Sequence, residues 1–379
     1  MVTRNCCWAV VLCAWSWSSA GVVLAQAVTT PTKESAVVAD RGEMVKRAAA
    51  FLAKTQAADG SFTKSAGPGV TALVAAGLLA NGVSPDDVVV AQALKYALGF
   101  VQADGGIYPE GSKHQNYETC IAMTCFKAAN RDGRYDGLLA KAEKYVKQAQ
   151  WDEDEGYSPD KEAYGGAGYG SHSRPDLSNT AFLVDALKTV GDGADDAAIQ
   201  RALAFVSRCQ NFESSYNTTK FPALNPDGGF YYTVASGGES EAGELPNGGL
   251  RSYGSMTYAG LKSMVYAGVD KSDPRIKAAL EWVKKNYTFA ENPGIGSAGL
   301  YYYLHMAAKS LSALGETTIV DAAGKEHDWR SELVAALAER QRIDGSWINE
   351  NARWLEGDAN LVTGYALLAL AYCDEPAAK

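Results

Sequence analysis

The chain has 379 residues, 47% of them hydrophobic and 21% charged, with a net charge of −9. That length and apolar content suffice for a large core, laid out as one repeat array or as two ordinary domains. The acidic balance, with no basic stripe along the chain, excludes nucleic acid as an expected partner.

In chain order, residues 1–25 read as an export signal. Arg4 supplies the positive flank, Trp8 to Leu24 the apolar stretch, and Val23-Leu24-Ala25 or Ala25-Gln26-Ala27 a small-residue cleavage site. The rival reading is an uncleaved anchor, since the apolar run approaches bilayer-spanning length. Its Ser and Gly content favours cleavage, which places the mature chain in the periplasm or outside the cell with no need for membrane association. Cys6, Cys7 and Cys13 leave with the signal. Cys120, Cys125, Cys209 and Cys373 remain and read as small core residues, not a disulfide framework. Residues 26–42 form a polar, Thr-rich, loose lead-in to a repeat region over 43–373.

That region is built by repetition. Gln341-Arg342-Ile343-Asp344-Gly345-Ser346-Trp347 has weaker copies at Gln56 to Phe62 and at Gln102 to Ile107. Looser echoes are Gln150 followed by Gly156-Tyr157, and Asp227-Gly228-Gly229-Phe230. Gln56, Gln102 and Gln150 lie 46 and 48 residues apart, a period that signals one supersecondary unit copied many times. In each copy an amphipathic helix ends in Gln, an Asp-Gly turn follows, an aromatic plugs back into the protein, and a more apolar helix begins. Gly tolerates positive φ and Asp bonds its own backbone, which suits a tight turn. The Gln carboxamide, both donor and acceptor, can tie a helix end to the next loop.

The pattern predicts six hairpins. First helices are expected over 43–55, 87–101, 136–149, 194–209, 273–286 and 329–340. Second helices are expected over 69–80, 117–129, 177–190, 253–267, 298–314 and 360–373. The first set carries an apolar stripe with charges elsewhere, as from Leu138 to Lys147; the second lacks a charged face, as from Val70 to Leu79. The first set is therefore an outer, solvent-facing ring and the second a buried inner ring. The fold class is all-α, a single α/α toroid, although an open solenoid shares the periodicity.

The Gln…Gly-Trp repeats, the helix alternation and the repeat number resemble the prenyltransferase and squalene-cyclase repeat superfamily over residues 43–373. The resemblance implies a closed six-hairpin barrel whose inner-helix N-termini surround a central cavity. It also raises two chemistries. Triterpene cyclases of the hopene type protonate their substrate with an Asp-x-Asp-Asp-Thr-Ala segment at the start of an inner helix. The matching stretch is Asp176-Leu177-Ser178-Asn179-Thr180-Ala181, where Ser178 and Asn179 occupy the acid positions and neither can protonate an alkene. Protein prenyltransferases hold zinc with Asp, Cys and His. Glu118-Thr119-Cys120 resembles half of that site and Tyr301-Tyr302-Tyr303-Leu304-His305 the segment with the His, but the two lie three repeats apart, opposite in a six-membered ring. His172 is in the adjacent repeat but in a loop. Zinc is the only metal the resemblance raises, and neither it nor another cofactor is expected. No Gly-rich phosphate loop, His-Glu-x-x-His or Gly-x-Ser-x-Gly occurs.

What remains is a concentration of polar and aromatic residues where second helices begin. His305, Glu118, Asp176 and Asp358 are the candidate catalytic groups, His305 as general base or acid. His172, Arg251, Tyr253, Tyr301, Tyr302 and Tyr303 are the candidate substrate-binding residues, with Arg251 pairing the acids and holding an anionic group of the ligand. They are expected to converge on one cavity mouth, partly roofed by the insertion over 211–250. Asp176 and Asp358 also sit where helix N-caps belong. The expected function is an exported toroid binding an elongated, largely apolar, isoprenoid-like ligand, with transferase- or lyase-type chemistry left open. The alternatives are an exported polysaccharide lyase or glycosidase, and a non-catalytic protein-binding scaffold.

Overall fold

The computed structural model describes residues 40–170 and 173–374. The expected export signal lies outside the described residues. Thirteen α-helices follow one another among them: α1 (Arg41–Thr55), α2 (Gly67–Ala80), α3 (Val88–Leu98), α4 (Gln115–Ala129), α5 (Asp136–Gln148), α6 (Leu177–Val190), α7 (Ala197–Arg208), α8 (Phe221–Leu224), α9 (Gly254–Tyr266), α10 (Pro274–Lys285), α11 (Leu300–Leu314), α12 (Trp329–Arg340) and α13 (Ala359–Ala371). A small antiparallel ribbon, β1 (Ile319–Val320) with β2 (Glu326–His327), follows α11. No helix among the described residues is long and apolar enough to cross a membrane.

Outer helices α1, α3, α5, α10 and α12 bury one stripe and leave most charges toward solvent, while α7 is more enclosed and buries Arg208 against backbone carbonyls. Their starts are set by capping. The carboxylates of Asp87, Asp196, Asp273 and Asp328 accept from backbone N–H groups of the first turn. This is why α7 begins at Ala197, later than the apolar pattern suggests. The inner helices have no such stripe; α2 buries eleven of its fourteen residues, which only an enclosed position allows.

Around the inner ring α2 packs on α4, α4 on α6, α6 on α9, α9 on α11, α11 on α13, and α13 back on α2. The described residues thus form a closed α/α toroid, and the open solenoid is excluded for them. Inner N-termini gather at one end. The loop ahead of α6 accepts hydrogen bonds from Asn116 of α4, the loop ahead of α9 from Leu177 of α6, and the loop ahead of α13 from Tyr302 of α11.

The repeated glutamines fasten the outer ring. Gln56 Nε2 donates to Gly60 O and to Val89 O of α3; Gln150 Nε2 to Gly165 O and Ala198 O of α7; Gln210 Nε2 to Gly228 O and Arg275 O of α10. Gln341 Nε2 donates to Gly345 O and to Met44 O of α1, closing the circle across 297 residues. Gln102 stays within its own loop, on Phe100 O and Tyr108 O. Inside the ring, the hydroxyls of Thr71, Thr119, Thr180, Thr257 and Thr363 accept from the backbone N–H of Phe62, Ile107, Ala167, Phe230 and Trp347. The fifth hairpin has neither device: Asn286 ends α10, and Tyr303 stands where the threonine would.

The turn glycine presses on the next outer helix. In the third repeat this residue is Gly165, not Gly156 as the spacing suggested: a Cβ on Gly165 would lie 1.8 Å from Arg201 O, whereas one on Gly156 would meet nothing within 4 Å. Gly345, at φ +93, would place a Cβ 2.3 Å from Arg47 O. Gly324, in the β1–β2 turn at φ +82, has nothing within 4 Å. Substitution of either by Ala loses about 1–2 kcal/mol to the left-handed backbone. Gly345→Ala also forces α12 away from α1 and is expected to lose about 3 kcal/mol or more in total. Urea unfolding of the two variants measures the difference, and equal losses would show that the close approach does not matter.

Candidate functional site

Residues three or four apart on a helix share a face. On α6 the inward face carries Ser178, Phe182 and Asp185; on α11 it carries Tyr302, His305 and Lys309. Four inner helices contribute one ring each to a collar across the lumen. Tyr117 meets Phe182 with centroids 5.1 Å apart, Phe182 meets Tyr302 at 6.0 Å, and Tyr302 meets Tyr365 at 5.9 Å. The Tyr365 and Tyr117 hydroxyls, 3.4 Å apart, complete the cycle. Tyr117, Phe182 and Tyr302 remain partly exposed although they point inward, so each borders open space.

On the N-terminal side of the collar is the mouth. Ser178 and Tyr302 share a hydrogen bond of 2.9 Å. Asp176 caps α6, accepting from Asn179 N at 2.8 Å and Asn179 Nδ2 at 2.7 Å. It is 2% exposed, and burial pushes its carboxyl up to about 6 against those bonds. Glu118 is also buried, though less deeply. It accepts from Ser112 Oγ at 2.7 Å, no described cation pairs with it, and burial pushes it up to about 7. Both carboxyls therefore hold or release a proton near neutrality. Tyr253 is buried at the N-cap of α9.

The sequence-based site is only partly assembled. Arg251 is exposed and donates to Glu244 O of its own insertion, because the bridge between Glu244 and Leu250 turns it outward; it does not pair with Glu118. Tyr301 and Tyr303 do not line the lumen with Tyr302, since successive helical residues project about 100° apart. Tyr303 donates to Thr288 O and packs on Tyr258 between α9 and α11, and Tyr301 is buried. Asp358 is a cap, accepting from Leu361 N and from Thr63 Oγ1. His305 is not at the mouth. It lies on the far side of the collar, 6.0 Å from the Tyr365 ring, where burial first, then Lys309 and Lys262, hold it well below its ordinary value. It stays neutral and cannot serve as a general acid near neutrality. His172 lies outside the described residues.

Zinc does not fit. Glu118 and Cys120 are two apart on α4 and face different ways; the Cys120 thiol bonds Asn116 Oδ1. No cluster of His, Cys, Asp and Glu that could hold a metal occurs among the described residues. The four cysteines of the repeat region are free thiols.

Sequence reasoning missed several residues. Glu356, 1% exposed, accepts from the backbone of Tyr301 and Tyr302 and so caps α11 from the loop between α12 and α13. The insertion is ordered. It brings Tyr232 beside Asp176 and ties itself down by ion pairs from Glu239 to Arg174 and from Glu241 to Arg353, in the loops ahead of α6 and α13. Asp185, Lys262 and Lys309 meet inside the barrel below the collar. Their signal was available: Lys262 and Lys309 are each the one charged residue of the lysine, arginine or carboxylate type in its inner helix, and both stand mid-helix, away from the ends. A shallow groove of about 550 Å³ on the rim is lined by Trp151, Tyr157, Arg174 and Ser236 among others.

Residues 63–234 match the family described as squalene-hopene cyclase C-terminal domain. Among solved structures, the type II terpene cyclase MstE from Scytonema is 14% identical, with 87% of this chain and 97% of that one aligned at a TM-score of 0.52. A protein from Actinoplanes is also 14% identical, over 88% of this chain and 99% of that one, at 0.52. A glycosidase variant is 14% identical over 90% and 98%, again at 0.52. At such identities the likeness speaks for the fold alone. No curated protein matches the chain. The chain therefore shares the α/α-toroid fold of these structures, and its residues 63–234 are similar to the squalene-hopene cyclase C-terminal domain.

Proposed function

We propose that this is an exported ligand-binding toroid whose lumen takes an elongated, largely apolar, isoprenoid-like molecule. The observation that carries the reading is the collar of Tyr117, Phe182, Tyr302 and Tyr365. The partly exposed inward faces of Tyr117, Phe182 and Tyr302 are wasted in a filled core but suit an apolar guest, and a concave aromatic site with few polar groups is the usual form of a small-molecule pocket. The likeness of residues 63–234 to squalene-hopene cyclases supports a terpenoid guest. Protonation-initiated cyclisation of the hopene type is not part of the proposal. Ser178 is a hydroxyl bonded to Tyr302, and Asn179 spends its amide on Asp176.

A second reading rests on a separate observation. Glu118 and Asp176 stand at the starts of adjacent inner helices, both buried and both protonatable near neutrality. Two carboxyls at one mouth are what glycoside hydrolysis requires, and a glycosidase shares the fold.

Three outcomes are expected. Farnesol binds the purified chain in equilibrium dialysis, and Phe182→Asp, checked for folding by circular dichroism, weakens binding by about tenfold or more; a folded variant that binds equally well refutes the collar as the guest site. Squalene incubated with the protein yields no cyclised product by gas chromatography–mass spectrometry, and any such product refutes the exclusion. Under the second reading, hydrolysis of aryl glycosides declines as pH rises through about 7, because the acid must be protonated and Glu118 loses its proton there. Activity that survives in Glu118→Gln sinks that assignment.

A further inference from the structure

Below the collar, three inner helices meet in a charged cluster. Asp185 of α6 accepts from Lys262 Nζ of α9 at 2.6 Å and from Lys309 Nζ of α11 at 2.8 Å, and all three side chains are buried. One carboxylate thus faces two ammonium groups. No other acid among the described residues lies within ion-pair distance of either lysine. Tyr266, Tyr372 and Cys120, the remaining titratable groups around the cluster, are kept in their neutral forms by burial, as is His305. The cluster therefore holds one surplus positive charge in a dry interior, an arrangement that is unfavourable unless a counter-charge is supplied. The strain registers on Lys262, which burial first and Lys309 next pull down to about 8 despite Asp185. A second observation points to a missing partner. His305 Nδ1, buried between Tyr365 and Tyr372, has no hydrogen-bond partner.

We propose that this cluster seats the head of the lumen ligand, and that the head is a carboxylate, received by Lys262 and Lys309 with a hydrogen bond from His305 Nδ1–H. This deepens the reading of the lumen as an apolar-guest site and rests on it. The choice of carboxylate follows from charge. A monoanion neutralises the surplus, whereas a phosphate monoester, close to two negative charges at neutral pH, would leave an excess of the opposite sign. The tail would rise from the cluster between Phe182 and Tyr302, whose partly exposed faces turn aside to admit it.

The test uses the full chain and three probes that share one tail: farnesoic acid, farnesol and farnesyl monophosphate, each measured by equilibrium dialysis at neutral pH. Farnesoic acid is expected to bind about tenfold or more tighter than farnesol, and tighter than the phosphate. Lys309→Met, which leaves a neutral Asp185–Lys262 pair, is expected to bring the acid down to the affinity of the alcohol. Lys262→Met makes the same change in charge and replaces it where circular dichroism shows the first variant unfolded; the three-probe comparison on the unaltered chain decides the matter where both unfold. Acid and alcohol binding equally would overturn the head-group site while leaving the apolar lumen intact. A phosphate preference, or an acid preference that survives a folded lysine variant, would also overturn it. Binding of none of the three would sink the lumen reading itself, and this inference with it.

Discussion

The toroid depends on a primary amide. An outer helix touches its neighbours in the ring only at its ends, so something must hold consecutive hairpins at a fixed angle. The glutamine Nε2 carries two protons in one plane, and the structure uses one for the hairpin's own loop and one for the next helix. Glutamate would offer no proton at all. The carbonyl oxygens of Gln150, Gln210 and Gln341 lie buried without partners, which shows that donation is the function selected at these positions. Because the same loops carry the starts of the inner helices, fixing the hairpin angle also fixes the mouth. Asp176 and Tyr253 stand where they do because the Gln150 and Gln210 amides below them hold.

This changes how the resemblance to hopene-type cyclases is understood. Three residues of the segment Asp176 to Ala181 agree with the acidic motif, Asp176, Thr180 and Ala181, and the two polar ones have scaffold roles here. Asp176 caps α6, and Thr180 accepts from Ala167 N as Thr71, Thr119, Thr257 and Thr363 do in their own repeats. The residues that would differ between a cyclase and a passive toroid are the intervening Ser178 and Asn179, and they have changed. Likeness to that motif thus reports the ring first and chemistry second.

The same distinction explains what could be read from the sequence. Both sets of helices were legible because periodicity separates a striped helix from one apolar all round, and the observed ends differ by a few residues where an aspartate cap intervenes, as at Asp196. The mouth was legible only as a level along the barrel axis. Grouping residues by nearness to a helix start says nothing of azimuth, so Tyr301 and Tyr303 were placed with Tyr302, and Asp358 with Asp176. Arg251 was misplaced because loop geometry, unlike helix phase, leaves no periodic trace. The Asp185 cluster draws on three helices distant in sequence, and no local pattern joins them.

Ring closure also has a consequence in time. The interface between α13 and α2 joins the two ends of the repeat region, and Arg41 reaches Leu370 O across 329 residues. A chain emerging from the ribosome can assemble its hairpins one by one, but α2 must wait for its last neighbour. At roughly 5–20 residues per second, about 300 residues take some 15–60 s to follow. For that interval the flank of α2 around Leu73, Val74 and Gly77, which ends against Gly364 and Leu367, stays uncovered in a helix without one charge to keep it soluble. The first hairpin therefore keeps bare aliphatic surface for longer than any other part of the ring, and it is where self-association of the unfinished chain would begin.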